Sequence, residues 1–485
     1  MNASVTAATL AATVATMKQA HIQDGPASAE LRRDRLTRAA QLLTRHHREL
    51  AAAISADYGH RSPYQTLLAD VLSAVDALQY AAENLQQWMQ ADEQPAPAPG
   101  MQARVQYQPL GVVGIISPWN FPLNLAFSPL AGVFAAGNRA LIKPSELTPR
   151  TAELLAELIA RYFEPLELTT VLGDADVGAA FSAQAFDHLV FTGSTGVGRH
   201  VMRAAAENLV PVTLELGGKS PVVLDTDADV QVAVERVLTI KTFNAGQICI
   251  SPDYVMLPED ARDAFVEHAR RFIARTFPTI QGNPDYTAMV SDRHFQRLQG
   301  LLDDARAKGA TVIGLEPENE VNADAQTRKM APTLVLDVTD EMLVMQEEIF
   351  GPVLPIKTYR QVDEALDYIN AHPRPLAAYY FGQDALRQRR FGERTTSGAL
   401  VINDVMTHAS VESVPFGGVG ASGIGAYHGI HGFRRFSHAK AVVVQSPGGE
   451  FNLRMRAPYA AGLAEIETLL ATASADDADG QKKSE

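Results

Sequence analysis

A single cysteine, Cys249, stands in 485 residues. It cannot form an internal disulfide, which fits a reducing compartment. No run of about 18 uninterrupted apolar residues occurs, so no membrane span is expected. Residues 1–20 are rich in Ala and Thr and lack a charged stretch leading into a strongly apolar one, so no secretory signal is read there and a cytoplasmic location is expected. Basic charge is also short: 42 Lys and Arg stand against 56 Asp and Glu, for a formal net charge of −14. A protein that grips phosphate backbones needs a basic footprint, so no nucleic-acid partner is expected. The densest basic run, residues 268–275, reads as the solvated face of a helix. The 13 histidines show no ligand spacing, so no metal site is expected. A Gly-x-Ser-x-Gly elbow, a Walker A loop and internal repeats are missing too.

What is present is globular. Hydrophobic residues make up 46% and charged residues 20% of the chain, and the length suggests about two to four domains. Apolar positions recur at helical spacing over residues 31–56 and 64–90. Residues 94–100, with three prolines, form a stiff connector, and residues 105–109 read as a strand with little local cover, a candidate subunit contact. From residue 112 short apolar strands alternate with helices: strands at 112–116, 139–143, 168–172, 188–192 and 211–215, with helices between them. This is the pattern of βαβ units and a parallel sheet, whose ligands sit beyond the carboxyl ends of the strands. Past Gly217-Gly218 the alternation resumes with different spacing, ending in a strand at 399–403, and predicts a second α/β domain. The polar end of the chain, residues 473–485, is expected to lack structure.

Several residues could carry chemistry. Cys249 follows a Gly-Gln turn and is a candidate nucleophile, although a lone cysteine is more often a small buried hydrophobe. Phe191-Thr-Gly-Ser-Thr-Gly-Val-Gly198 joins a strand to a helix, where free N–H groups and the helix dipole favour phosphate. Its glycine spacing differs from the dinucleotide fingerprint. Glu146, in Lys143-Pro-Ser-Glu146, could accept from ribose hydroxyls and would repel a 2′-phosphate, which favours NAD over NADP. Asn120 could donate to an oxyanion together with the Cys249 main-chain N–H, or simply satisfy turn backbone. Glu215 ends an apolar strand, where burial would raise its pKa toward that of a useful base unless it is ion-paired. Trp119, Phe243, Ile248 and Ile250 suggest an apolar pocket around the thiol, or ordinary packing.

Seven motifs in order then carry a resemblance: Pro118-Trp-Asn-Phe-Pro122, Lys143-Pro-Ser-Glu146, Phe191-Thr-Gly-Ser194, Leu214-Glu-Leu-Gly-Gly-Lys219, Gly246-Gln-Ile-Cys249, Glu347-Glu-Ile-Phe-Gly-Pro352 and Pro415-Phe-Gly-Gly418. Across roughly residues 31–440 the chain resembles the aldehyde dehydrogenase superfamily. Its end, with Asn403-Asp404, His408 and Gly425-Ala-Tyr-His-Gly-Ile-His-Gly-Phe433, is most similar to the class 3 branch and to bacterial coniferyl aldehyde dehydrogenases.

The resemblance implies an α/β fold with a Rossmann-like NAD-binding domain (residues 1–98 and 112–217), a catalytic domain (218–425) and a small β-ribbon oligomerisation domain (99–111 and 426–448). The ribbon would pair strand 105–108 with 439–445 and build a homodimer or a dimer of dimers. It implies NAD(P)-dependent oxidation of an aldehyde, coniferyl aldehyde-like, to the acid through a cysteine thiohemiacetal and thioester. Cys249 would be the nucleophile, Asn120 the oxyanion donor and Glu215 the general base. Lys143 and Glu146 would hold the adenosine ribose, Gly193 and Ser194 the pyrophosphate, and Glu348, Phe350 and Trp119 the nicotinamide end. The cofactor would be NAD, with NADP possible. An aliphatic-aldehyde enzyme, a CoA-acylating enzyme and a non-catalytic NAD-binding protein are the alternatives.

Overall fold

Five of the strands anticipated from the alternation meet in one sheet of the computed structural model, which describes residues 6–481. Its order is Gly423–Ile424, Val212–Glu215, His188–Thr192, Val112–Ile116, Arg139–Lys143, Leu168–Thr170. The last five run parallel. Four of these five are buried along their whole length or all but one residue, as expected of strands covered on both faces. The chain order reverses between Val112–Ile116 and His188–Thr192, which are neighbours. At such a switch point two connections leave in opposite directions and open a crevice at the carboxyl ends.

One strand of this sheet was not anticipated. Gly423–Ile424 pairs antiparallel with Val212–Glu215, and the Leu216 amide donates to the Ser422 carbonyl at 3.0 Å. The span 218–425, expected wholly in the catalytic domain, thus returns to close the edge of the first sheet. An uncovered edge would leave the backbone of the Glu215 strand unpaired.

A second, seven-stranded sheet runs Thr311–Gly314, Thr333–Leu336, Val353–Tyr359, Tyr254–Pro258, Pro221–Leu224, Ala377–Phe381, Ala399–Ile402. It is parallel except at its first strand. Both sheets belong to one compact unit, made of residues up to Met89 together with Gln108–His438.

The helical expectations need correcting in detail. Residues 31–56 are two helices, Ala29–Arg45 and His47–Tyr58, with His46 capping one and opening the other. Residues 64–90 divide into Pro63–Thr66, a π-helical turn Leu67–Leu72, and Ser73–Trp88. The near-continuous apolar spacing hides both interruptions. The Ala- and Thr-rich start forms helix Ala7–Asp24, closed by a capping box at Thr6. Its Leu10, Val14 and Met17 join the core beside the first sheet.

The smaller unit comprises Gln90–Tyr107 and residues from Ala439 onward. The ribbon's sheet orders Asp92–Gln94, Gln102–Pro109 and Ser437–Val444, so the two strands expected to be companions are neighbours. Helix Ala460–Gln481 covers most of residues 473–485, where no structure was expected. Its many alanines, the best helix formers, outweigh the polarity that suggested disorder. Residues 482–485 lie outside the described residues. No helix among the described residues is long and apolar enough to cross a membrane.

Candidate active site

The loops that leave the two strands at the switch point form one wall of a cavity of about 400 Å³. Strand Val112–Ile116 hands over to Pro118, Trp119 and Asn120, and strand His188–Thr192 to Gly193 and Ser194, all of which line it. Cys249, Glu215, Glu348 and Phe350 line it as well. Eight of the ten anticipated site residues therefore share one space. Lys143 and Glu146 are not among its lining residues. They sit at and just beyond the carboxyl end of the neighbouring strand Arg139–Lys143, joined by an ion pair of 2.7 Å.

Cys249 is held by a loop of unusual backbone. Helix Val230–Thr242 ends at Phe243, and Asn244, Ala245 and Gly246 follow with φ of 49°, 50° and 73°. Three successive left-handed residues reverse the chain tightly. Gln247 pins the turn: its Nε2 donates to the Asn244 and Ala288 carbonyls, and its Oε1 accepts from the Val290 amide. The Asn120 amide donates to the Gln247 carbonyl at 3.2 Å, so the candidate oxyanion donor is tied to the loop of the candidate nucleophile. Ile248 and Ile250 are buried. Of the four residues considered for an apolar pocket only Trp119 lines the cavity.

Charge in the site is expensive. Neither carboxyl oxygen of Glu215 has a hydrogen-bond partner. Burial holds its pKa well above the usual carboxylate range, opposed weakly by Arg435. Burial, reinforced by Asp253, raises Glu348 to about 8 against the Gly218 amide, Lys219 and Arg297. Burial, together with the two carboxylates Glu348 and Glu215, pushes the Cys249 thiol up to about 12. Burial thus opposes ionisation of all three groups, and the thiol rests protonated at neutral pH.

The residues fit a dinucleotide. Ser194 caps helix Thr195–Ala206. A Cβ on Gly193 would come within 2.6 Å of the Phe191 ring, whereas one on Gly196 would meet nothing within 4 Å. The helix start is thus bare backbone facing open space, as close approach of a phosphate requires. Glu348 keeps one buried oxygen without a partner. Trp119 and Phe350 meet edge to face, with centroids 5.3 Å apart. No cluster able to hold a metal occurs among the described residues.

Three lining residues, Leu125, His294 and Arg297, lie outside the sequence motifs. His294, on helix Asp292–Ala307, meets Trp119 edge to face with centroids 5.0 Å apart, and burial aided by Arg297 and Arg293 lowers its pKa to about 4. Arg297, one turn on, donates to the Glu348 carbonyl at 3.3 Å. Only the fold brings this helix to the cavity.

The chain is similar to known proteins along nearly its whole length. The profile of the Aldehyde dehydrogenase family matches residues 2–442. The chain is 60% identical over 457 residues to a coniferyl aldehyde dehydrogenase of Pseudomonas sp. strain HR199, covering 94% of this chain and 95% of that one. Among solved structures, a substrate-bound AldH of Staphylococcus aureus superposes with a TM-score of 0.89 at 33% identity, over 95% of this chain and 99% of the other. The indole-3-acetaldehyde dehydrogenase AldA of P. syringae, a point mutant in complex with NAD+ and IAA, superposes with a TM-score of 0.83 at 26% identity, over 92% and 90%. The chain belongs to the aldehyde dehydrogenase family.

Proposed function

We propose that this chain oxidises a hydroxycinnamyl-type aromatic aldehyde, coniferyl aldehyde among its substrates, to the carboxylate, with NAD as the preferred cofactor. The observation that carries the reading is the meeting of Cys249, Glu215 and Asn120 with Gly193, Ser194 and Glu348 in one cavity at the switch point. The substrate class is supported by the coniferyl aldehyde dehydrogenase of Pseudomonas sp. at 60% identity, and the cofactor by the NAD+ held in the AldA neighbour. Glu146 would accept from the hydroxyls of a ribose held beside it and would repel a 2′-phosphate, which supports NAD over NADP.

The Cys249 sulfur, once it has given up its proton, bonds to the aldehyde carbon, and the carbonyl oxygen takes the negative charge. Asn120 has one N–H committed to the Gln247 carbonyl. Its second N–H and the Cys249 main-chain N–H donate to that oxygen. Bound nicotinamide supplies the hydride acceptor, leaving a thioester on Cys249. Glu215, once ionised, takes a proton from water as the water oxygen attacks the thioester carbon. The C–S bond then breaks, and the acid leaves. Gly193 and Ser194 would seat the pyrophosphate and Glu348 the nicotinamide ribose, and Trp119 with Phe350 would shield the ring. The exposed ribbon strands support pairing of two copies, and the lone cysteine supports a cytoplasmic setting.

NADH formation with coniferyl, benzyl and long-chain aliphatic aldehydes, each with NAD and NADP, tests the reading. Coniferyl aldehyde with NAD should have the highest kcat/KM. Cys249→Ala should abolish turnover, and substantial residual NADH formation would overturn the nucleophile assignment.

A further inference from the structure

Arg61 has no solvent exposure and is the largest such side chain among the described residues, and its partner Asp70 is equally buried. A pair of charges taken wholly out of water costs several kcal/mol per ion before their attraction is counted, so an apolar pair of like volume would serve the core as well or better. What these two side chains touch is one loop of the active site. Arg61 Nη1 donates to the main-chain carbonyl of Asn120 at 3.0 Å, while Nη2 lies 3.0 Å from Asp70 Oδ2. Asp70 Oδ1 accepts from the amides of Leu123 and Asn124 at 3.1 and 3.2 Å. The pair therefore grips both ends of segment 120–124. The guanidinium also lies against the rings of Tyr58 and Phe121. Asp70 sits in the π-helical turn Leu67–Leu72, an irregularity that helices often keep at functional sites.

The Asn120 carbonyl accepts from two further donors, the Tyr58 hydroxyl at 3.1 Å and Asn244 Nδ2 at 3.3 Å. Asn244 belongs to the left-handed loop before Cys249, and its Nδ2 also donates to the Gln247 carbonyl, which accepts from the Asn120 side chain too. The peptide of the candidate oxyanion donor is thus clamped between a buried ion pair, from the connection after helix His47–Tyr58 and the π-helical turn, and the loop of the candidate nucleophile.

We infer that Arg61 and Asp70 are positioning residues, which set the Asn120 amide at the place where the oxyanion forms over Cys249. The inference rests on the oxyanion role proposed for Asn120. A donor displaced by a fraction of an ångström loses most of its value to the transition state while substrate and cofactor still bind.

The test is a mutant cycle in the full-length enzyme, read as kcat and KM for NADH formation. Because Arg61→Met alone strands a buried carboxylate, the pair is exchanged together as Arg61→Met with Asp70→Leu. Tyr58→Phe, which removes one donor to the same carbonyl, serves as the milder variant should the exchange fail to fold. The exchange should lower kcat roughly 10- to 100-fold with KM for NAD within about twofold of the parent. Tyr58→Phe should give a smaller loss in the same direction. In an Asn120→Ala background each change should cost less than about threefold more, since the amide it positions is gone. Losses that multiply in that background, or a kcat left at the parent value by both variants, would overturn the inference while leaving the oxyanion role standing. An Asn120→Ala enzyme at full speed would overturn the oxyanion role itself.

Discussion

A thiol raised to about 12 by burial and by Glu348 and Glu215 is a poor nucleophile at rest, because only the thiolate attacks. Without cofactor or substrate, alkylation of Cys249 by iodoacetamide should be slow at pH 7. It should climb about tenfold per pH unit through pH 9 with no plateau, since the thiolate fraction keeps growing below the pKa. A plateau near pH 7 would show a standing thiolate. Removing Glu348 as Glu348→Gln takes away a carboxyl that opposes the thiolate, so the alkylation profile should move to lower pH. Glu215→Gln should do the same to the profile and, by removing the proposed base, slow thioester hydrolysis until acyl-enzyme accumulates, visible by intact mass. At this scale the sequence is uneven. That Cys249, Glu215 and Asn120 share one cavity was legible because each sits in a short motif. His294 and Arg297 were not, because they reach the cavity from a helix with ordinary amphipathic spacing. Arg61 and Asp70 carry no sequence signal either, because their pairing across nine positions depends on the π-helical turn that holds Asp70.

The nucleophile loop shows what one element demands of its backbone. Gly246 has φ of 73°, and a Cβ there would collide with the Gly351 carbonyl oxygen. Gly246→Ala should therefore destabilise the protein by about 1–3 kcal/mol from backbone strain alone, before the collision is relieved. Because Gly351 follows Phe350 and lies three residues after Glu348, relief by backbone movement should weaken NAD binding too. Thermal unfolding and cofactor titration by fluorescence check both. Gly282→Ala, at a site where the added Cβ meets nothing within 4 Å, is the control and should leave both within error. The parallel strands were legible as elements because burial on both faces makes them continuous apolar runs. The two-residue strand Gly423–Ile424 was not, since pairing of so short a segment depends on backbone partners and leaves no periodicity. The break at His46 escaped for the opposite reason: apolar spacing runs through it, and only the capping geometry shows the interruption.

Over the whole molecule, buried titratable groups set opposing limits on pH. His188, His294, His408 and His428 have pKa values lowered to about 3, 4, 4 and 4, chiefly by burial. The folded chain holds them neutral, so the unfolded chain binds more protons as pH falls below about 6.5, and stability is lost from there toward pH 4. Glu215, Glu348 and Glu412 are shifted the other way by burial, the last two to about 8 and 7. For these the folded chain binds more protons than the unfolded one. Their contribution is full below the ordinary carboxyl value of about 4.5, falls as pH rises, and is gone once pH has passed the folded values. The net charge of −14 adds self-repulsion on the alkaline side. Between about pH 4.5 and 6.5 the imidazoles and carboxyls oppose each other, so the Tm should peak near pH 6 and fall on both sides. Substituting single groups separates the two limits. Glu348→Gln, neutral at every pH, should flatten the fall between about pH 6.5 and 8 and leave the loss below about pH 4.5 unchanged. His188→Asn, whose ring now lies 2.8 Å from the Thr213 hydroxyl through Nε2, should lower the Tm everywhere but soften its loss between about pH 6.5 and 4. A Glu348→Gln enzyme whose Tm falls as steeply as the parent's between about pH 6.5 and 8 would mean that Glu348 already carries its charge in the folded enzyme at pH 6.5, and its burial would then not hold the proton.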